Sequence, residues 1–197
     1  MPRGTIITGE DNVPERIAEL PNIPLVVKPV NGGSSVGTRI VEAYPGLFDA
    51  IAEAITHGDV LVEELIKGRE ATCGVVDADN DGGVFALHPI EIVPPDDHDF
   101  FDYDAKYGGG SKEICPGRFT ITETAEIRRL ASLAHKTLGL RHYSRSDFIV
   151  SPKGIYILEV NTLPGLTDES LLPKALRTSG VEFPEFLDHI LQLTMGK

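Results

Sequence analysis

Apolar positions along the chain follow two spacings, and each spacing predicts one kind of element. Apolar residues three or four apart indicate amphipathic helices, which we predict over residues 14–20, 44–56, 122–138, 170–177 and 184–193. Short apolar or alternating runs bounded by Gly, Pro, Asn and Asp indicate strands, which we predict over residues 5–8, 24–30, 38–41, 60–65, 69–76 and 84–93. A hairpin over residues 144–161 completes the pattern. The sequence therefore predicts an α+β protein.

The stretch from residue 94 to residue 115 lacks a clear periodicity. A connection of this length in a compact protein is more often a lid or a binding loop than a simple link. We therefore expect this segment to take part in function.

The predicted hairpin has a register that can be counted from its turn. The connecting residues SPKG suit a type I turn followed by a left-handed glycine, which is a three-residue loop. Ser151 should then face Ile155, and counting back pairs the remaining positions. The predicted pairs are Val150 with Tyr156, Phe148 with Leu158, Asp147 with Glu159, Ser146 with Val160, and Arg145 with Asn161.

Two carboxylates face each other in this register. Asp147 and Glu159 repel, so the pair needs a cation, and Arg145 supplies part of the positive charge. Together with Asn161 they form an oxygen-rich set that suits Mg²⁺, an ion that keeps several waters and shares its ligands with substrate phosphates. The alternative is a solvated hairpin face balanced by arginine, and the register alone leaves both open.

Three other motifs resemble ligand sites but fit poorly. Asp77, Asp79 and Asp81 match the start of an EF-hand loop, but His88 stands where a glutamate is needed, so we expect a hairpin turn. The segment NGGSSVG lacks the lysine and hydroxyl that end a Walker A motif, and GGGSK has the wrong spacing. The histidines show no metal-binding spacing, so zinc is not implied.

Composition narrows the class of protein further. The 197 residues are 41% hydrophobic, which is enough for a core without disulfides, and the two cysteines form no paired motif. The net charge of −12, from 30 acidic and 18 basic residues, opposes binding to nucleic acids or anionic membranes. No apolar run approaches the roughly 18 residues of a membrane span. We expect a cytoplasmic protein without nucleic-acid or membrane partners.

Five stretches together resemble the ATP-grasp part of the D-alanine:D-alanine ligase family. They are VVKPVNGGSSVGT, LVEELIKGRE, EIVPPDDHDFFDYDAKY, SRSDF and EVNTLPGLTDESLLPKA, in the order of that family. The resemblance implies an ATP-grasp fold of two α+β lobes with the nucleotide between them. We place the lobes at residues 1–93 and 94–197. The resemblance also implies an ATP-dependent ligase that joins two D-alanines through an acyl phosphate for peptidoglycan precursor synthesis.

The resemblance further implies roles for individual residues. The metal ligands, for Mg²⁺ or alternatively Mn²⁺, are Asp147, Glu159 and Asn161. The ATP-binding residues are Lys28, Ser35, Glu63, Glu64, Leu65, Ile66, Glu70 and Lys106. The catalytic residues are Arg145, Gly165, Ser34 and Tyr107, and the substrate-binding residues are Tyr103, Ser170 and Leu171. The alternative reading of Ser170 is that it only caps the helix that follows it.

The family's amino-terminal domain, which helps to hold the first amino acid, has no counterpart in this chain. We therefore expect a fragment, a stand-alone domain or one piece of a split enzyme, with a homodimer or a missing domain completing the site. Two other functions remain open: an ATP-binding module without ligase activity of its own, and a related ligase for another carboxylate and amine.

Overall fold

The structure is a computed structural model and describes residues 1–18, 20, 24–31, 36–94 and 111–196. The chain divides into two compact units. The first is built from the residues up to Lys67, and the second from Gly68–Val93 together with the residues from Lys112 onward.

The first unit is a four-stranded antiparallel sheet with helices. Its strands are β1 (Gly4–Ile7), β2 (Leu25–Pro29), β3 (Arg39–Val41) and β4 (Val60–Glu64), in the order β1-β4-β2-β3. Its helices are α1 (Val13–Ile17) and α2 (Tyr44–Ala54), and a 3₁₀ turn (Ile55–His57) follows α2. Alternate residues of β2 and β4 pack on the apolar stripe of α2, and this burial forms the core of the unit.

The second unit is a six-stranded antiparallel sheet with three helices. Its strands are β5 (Arg69–Asp77), β6 (Val84–Ala86), β7 (Ile90–Val93), β8 (Lys112–Ile114), β9 (Tyr143–Ser151) and β10 (Gly154–Asn161). The order is β10-β9-β5-β7-β8, and β6 pairs with the end of β5. The helices are α3 (Ile121–Thr137), α4 (Leu171–Thr178) and α5 (Phe183–Thr194).

Helix α3 covers one face of this sheet. It begins with a capping box, in which Thr120 accepts from the Glu123 N–H and Glu123 accepts from the Thr120 N–H. Ile127 and Ala131 of α3 pack against Ala71, Cys73, Val75, Phe148 and Val150 of the sheet. Because side chains alternate along a strand, the neighbours of these sheet residues point to the opposite face.

Most predicted elements are confirmed with shifted ends, but two predictions on the strands were wrong. The single strand predicted over 84–93 is two strands that both pair with β5, because Pro89 has no N–H to donate and interrupts the ladder between them. Strand β8 lies inside the segment predicted to be a loop, where it pairs with β7. The rest of that segment, residues 95–110, lies outside the described residues.

The predicted boundary between lobes at residues 93 and 94 differs from the division into units. Strand β5 pairs with β9 along its whole length, from Arg69↔Val150 to Val76↔Tyr143. This ladder places residues 68–93 in the second unit, although they are close in sequence to the first. The local sequence pattern cannot predict which strands pair when they lie this far apart in the chain.

The acidic segment between β5 and β6 forms a turn, as predicted. Asp79 Oδ1 accepts hydrogen bonds of 2.9 Å from the N–H groups of Asp81 and Gly83. Asp77 instead accepts from His135 and His142 at 2.9 and 3.2 Å, so its carboxylate faces away from this turn.

Candidate active site

Six polar side chains of the second unit share the sheet face opposite α3. They lie at alternate positions of three adjacent strands: Glu70 and Thr72 on β5, Arg145 and Asp147 on β9, and Glu159 and Asn161 on β10. The intervening residues of β5 and β9 are apolar or small and belong to the core. The packing of α3 thus determines that these polar groups gather on the other face.

The ladder between β9 and β10 contains the predicted polar pairs. Asp147 lies opposite Glu159, Ser146 opposite Val160, and Arg145 opposite Asn161. The pair of carboxylates and the arginine beside it therefore lie at the predicted positions of the ladder.

The predicted pairs nearer the turn were wrong by one residue. Ser151 pairs with Gly154, which makes the loop two residues long, and the next pairs are Val150 with Ile155 and Phe148 with Ile157. A β-bulge between Ile157 and Glu159 then inserts one residue into β10. The shorter loop and the bulge shift the register in opposite directions, so the polar pairs agree with the prediction although the turn does not.

Asp147 accepts four hydrogen bonds from three side chains. Its Oδ1 accepts from the Thr72 hydroxyl at 2.5 Å and from Arg145 Nε at 3.1 Å. Its Oδ2 accepts from Arg145 Nη2 at 3.0 Å and from Asn161 Nδ2 at 3.1 Å. Asp147 is 8% exposed, so these donors replace the water that an exposed carboxylate would have.

Asn161 connects the two facing carboxylates. Its Nδ2 also donates to Glu159 Oε1 at 3.4 Å, so the amide lies between Asp147 and Glu159. The positive end of the amide dipole thereby takes the place where two carboxylates would otherwise meet. Their repulsion is reduced but not removed, because an amide carries no net charge.

Arg145 is the cation that the described strands contribute to this face. Burial of its guanidinium by itself lowers the pKa, but the hydrogen bond and charge of Asp147 and the charges of Glu159 and Glu70 outweigh burial and raise it. One guanidinium thus interacts with three carboxylates. Among the described residues of this face, Asp147 and Glu159 alone outnumber the one guanidinium, and this negative charge favours a further cation.

The donor set fits a magnesium ion. Two carboxylates and an amide offer the oxygen ligands that this hard ion prefers, with room for water and phosphate oxygens. No group of three His, Cys, Asp or Glu side chains suited to a metal occurs among the described residues. Asn161 would need to turn its oxygen toward the ion, because its nitrogen now faces the carboxylates.

Lys28 and Glu63 of the first unit form an ion pair. Lys28 Nζ lies 2.6 Å from Glu63 Oε1, and the two side chains are 26% and 7% exposed. They lie on the face of the sheet opposite α2, because Val27 and Val62 beside them fill the core. Gly4 faces Glu63, and a Cβ there would lie 2.8 Å from both the Glu63 Cβ and the Val62 carbonyl oxygen, so glycine permits the close approach of β1 to β4.

The segment after Glu63 is held by its neighbours on both sides. The N–H of Glu64 donates to the Arg3 carbonyl at 2.9 Å, and that of Leu65 donates to the Pro24 carbonyl at 3.1 Å. Glu64 Oε1 also accepts from the Arg3 N–H at 2.9 Å. Ile66 follows, half-buried, between β4 and β5. The backbone predicted to lie beside the adenine is thus fixed without a ligand.

The side chain of Ser170 does not cap the helix that follows it. It is the N-cap residue of α4, but its side chain makes no hydrogen bond with the helix. Its Oγ instead accepts from the Thr167 N–H at 3.2 Å and lies 2.8 Å from Thr167 Oγ1. The reading of Ser170 as a helix cap is therefore wrong.

The start of α4 is suited to an anion. The first-turn N–H groups of Leu171 and Leu172 have no partner within a helix of this kind, and Pro173 has no N–H. Gly165 lies close to Ser170, since a Cβ at Gly165 would be 2.7 Å from Ser170 Oγ. The structure thus brings Gly165, predicted to be catalytic, close to Ser170 and Leu171, which are predicted to bind the second substrate.

Five predicted site residues lie outside the described residues: Ser34, Ser35, Tyr103, Lys106 and Tyr107. Two residues that sequence reasoning missed lie within the described part. Thr72 is hydrogen-bonded to Asp147, and Gly74 leaves space for Leu172 of α4. Alternation from Glu70 could have placed both on the polar face, but their partners follow only from the pairing of β5 with β9.

Comparison with solved structures defines the class of protein. The chain is similar to the VanG D-Ala:D-Ser ligase from Enterococcus faecalis, with a TM-score of 0.85 and 33% identity, covering 98% of this chain and 56% of that one. It is also similar to the D-alanine–D-alanine ligase from Bacillus anthracis complexed with ATP, with a TM-score of 0.79 and 30% identity, covering 99% and 61%. The fold is therefore an α+β ATP-grasp fold.

Sequence comparison identifies the family. A family model described as the D-ala D-ala ligase C-terminus matches residues 2–192, so the chain belongs to the D-alanine–D-alanine ligase family. The D-alanine–D-alanine ligase of Desulfotalea psychrophila is 41% identical over 98% of this chain and 60% of its own length. That of Maridesulfovibrio salexigens is 42% identical over 88% of this chain and 56% of its own length. The chain thus spans little more than half the length of these relatives.

Proposed function

We propose that this chain binds ATP with magnesium and forms the catalytic part of an ATP-dependent ligase that joins two D-alanines for peptidoglycan synthesis. The observation that carries the proposal is the group of Arg145, Asp147, Glu159 and Asn161 on one sheet face, with one guanidinium among an excess of carboxylates. Curated relatives named D-alanine–D-alanine ligase support the choice of reaction.

The second unit supplies the groups for phosphoryl transfer. Asp147, Glu159 and the oxygen of Asn161 would hold magnesium, which supplies charge neutralisation to the ATP phosphates when bound. Arg145 stays protonated because its pKa is raised, and Asp147 fixes its orientation. Its guanidinium is suited to stabilise negative charge on the transferred phosphoryl group, where positioning and electrostatics supply most of the catalysis.

The first unit supplies groups for the nucleotide. Lys28 would contact a phosphate, and Glu63 an adenine amino group, so that ATP would replace each partner of the present ion pair. Lys28 would exchange one anion for another, and Glu63 would exchange the ammonium group for a neutral N–H donor, so neither side chain would be left without a hydrogen-bond partner. Glu70 would contact the ribose. The ATP-complexed ligase from Bacillus anthracis, to which the chain is similar, supports the assignment of ATP.

The chemistry would proceed in two steps. A carboxylate oxygen of the first D-alanine bonds to the γ-phosphorus as the bond to ADP breaks, which forms an acyl phosphate. The amine of the second D-alanine attacks the acyl carbon, loses a proton, and phosphate leaves. The N–H of Gly165 would stabilise the developing oxyanion, and the start of α4 at Ser170 and Leu171 would bind the acceptor carboxylate.

The test measures binding and turnover separately in the purified chain. We expect MgATP to bind, and Asp147→Ala and Glu159→Ala each to weaken that binding or the release of phosphate. Glu126→Ala is the matched control, because Glu126 forms an exposed ion pair with Arg129 on α3. Unchanged binding and turnover in both site variants would remove the metal assignment.

Two other functions give different results in the same assay. MgATP binding without D-alanine-dependent phosphate release would identify an ATP-binding module that needs further parts for catalysis. A preference for another acceptor amine would identify a related ligase. The similarity to a D-Ala:D-Ser ligase makes D-serine the acceptor to compare with D-alanine.

A further inference from the structure

Thr72 is a buried residue on the polar face of the second sheet. It lies directly opposite Asp147 in the β5–β9 ladder and is 3% exposed. Its Oγ1 is 2.5 Å from Asp147 Oδ1 and 3.3 Å from the carbonyl oxygen of Ser146. A hydroxyl has one proton to donate, and the nearer and charged acceptor takes it. Thr72 is therefore a hydrogen-bond donor to Asp147.

All the acceptor positions of the Asp147 carboxylate are occupied by hydrogen bonds. A carboxylate has about four acceptor positions, and Thr72, Arg145 and Asn161 occupy them all. A cation can reach Asp147 only if one of these donors leaves. Arg145 and Asn161 are the donors that can leave, because Arg145 can turn to a phosphate and Asn161 can present its oxygen to the ion.

Thr72 has neither alternative. Its backbone is fixed in the ladder on both sides, between β7 and β9, and its side chain is enclosed. If Arg145 and Asn161 rearranged, the Thr72 hydroxyl would still hold Oδ1 of Asp147, and Oδ2 would be available to a cation. The hydrogen bond thus limits rotation of the carboxylate at the time when its other restraints are lost.

We propose that Thr72 is a positioning residue that orients Asp147 for the metal–nucleotide complex. The inference rests on the proposed function, since it assumes that Asp147 binds a divalent cation with ATP. Partners that orient metal ligands typically contribute about 10- to 100-fold to metal affinity. The hydroxyl would therefore affect the affinity for MgATP more than the affinity for ATP without metal.

The experiment uses the full chain and two probes, MgATP and ATP in the presence of a chelator. Thr72→Val removes the hydroxyl and keeps the volume, and we expect it to raise the Kd for MgATP about 10-fold while the Kd for metal-free ATP stays the same. Thr72→Ser keeps the hydroxyl and should restore the wild-type Kd.

Ser146→Ala is the matched control. Ser146 precedes Asp147 on β9 and is fully buried, but its hydroxyl has no hydrogen-bond partner among the described residues. Its side chain points to the opposite face of the sheet. We expect this variant to bind both probes as the wild type does.

The possible results separate the two proposals. If the wild-type chain does not bind MgATP, the proposed function fails and this inference fails with it. If the wild type binds and Thr72→Val binds MgATP equally well, only the role of Thr72 is overturned. If Thr72→Val raises the Kd for MgATP and for metal-free ATP equally, Thr72 has a structural role, and the positioning role is overturned as well. If Thr72→Val does not fold, Thr72→Ala takes its place, and failure of both to fold overturns the positioning role.

Discussion

The guanidinium of Arg145 donates two hydrogen bonds to the carboxylate of Asp147, from Nε at 3.1 Å and from Nη2 at 3.0 Å. The two side chains are 16% and 11% exposed, so little water competes for either charge. A planar fork facing a carboxylate fixes the orientation of both groups.

This geometry predicts that lysine cannot replace Arg145. Arg145→Lys keeps the charge but loses the fork, and we expect a loss of ~1.5–3 kcal/mol in the free energy of unfolding, measured by urea denaturation. Arg129→Lys, in the exposed pair with Glu126, is the control. It should change the free energy of unfolding by less than ~0.5 kcal/mol. Equal losses in the two variants would contradict the importance of the fork.

Asn161 separates Asp147 from Glu159, so its replacement by aspartate should make stability depend on magnesium. Asn161→Asp removes the shared donor and adds a carboxylate beside Asp147 and Glu159, which we expect to cost ~1–2 kcal/mol when a chelator is present. Added magnesium should recover this loss by binding the folded chain. Thermal unfolding with and without magnesium measures both effects.

Asn161→Leu is the control for that experiment, because it removes the donor without adding charge. We expect it to be destabilised in the chelator and to remain so in magnesium. Recovery of both variants to the same extent would show that the ion acts elsewhere.

Gly74 provides space for the start of α4. A Cβ at Gly74 would lie 2.5 Å from Leu172 Cδ1 and 2.9 Å from Leu87 Cδ1. Gly74→Ala should therefore cost ~1–3 kcal/mol of stability and shift the helix that carries Leu171. Urea denaturation measures the cost.

A second substitution tests whether the crowding is with Leu172. In Gly74→Ala with Leu172→Ala, the two losses should not add, because removal of the leucine makes room for the new methyl group. Gly9→Ala is a neutral control, since a Cβ at Gly9 meets nothing within 4 Å. Simple additivity in the double variant would rule out the proposed contact.

Ionised Glu91 should increase the free energy of unfolding at pH values above its pKa. The pKa of its carboxyl is lowered, first because the Arg118 side chain donates hydrogen bonds to it, and this outweighs the opposing effect of burial. A carboxyl with a lowered folded-state pKa stabilises the fold above its unfolded pKa, about 4.5, and loses that contribution as the pH falls through the folded value.

Unfolding measured between pH 6 and pH 3 should therefore show a steeper loss of stability in the wild type than in Glu91→Gln, which cannot titrate. Arg118→Met should also flatten the profile, because it removes the donor that lowers the pKa. Parallel profiles for all three proteins would contradict this assignment.

The hairpin shows how much of the site can be predicted from the sequence. The predicted pairs of Asp147 with Glu159 and of Arg145 with Asn161 are present in the structure, but only because two deviations from the prediction cancel. The turn itself is one residue shorter than predicted, and the β-bulge before Glu159 compensates for it. A bulge has no strong local pattern, because it depends on how the strand packs against its neighbours.

The sequence by itself determined the α+β class, the strands and helices with their approximate ends, and which residues carry charge at the site. These depend on local periodicity and on motifs, which are properties of neighbouring residues. Only the tertiary structure decided that β5 pairs with β9. That pairing assigns residues 68–93 to the second unit, places Thr72 against Asp147, and leaves Gly74 facing Leu172. Such contacts join residues far apart in the chain, and burial of the shared core selects them.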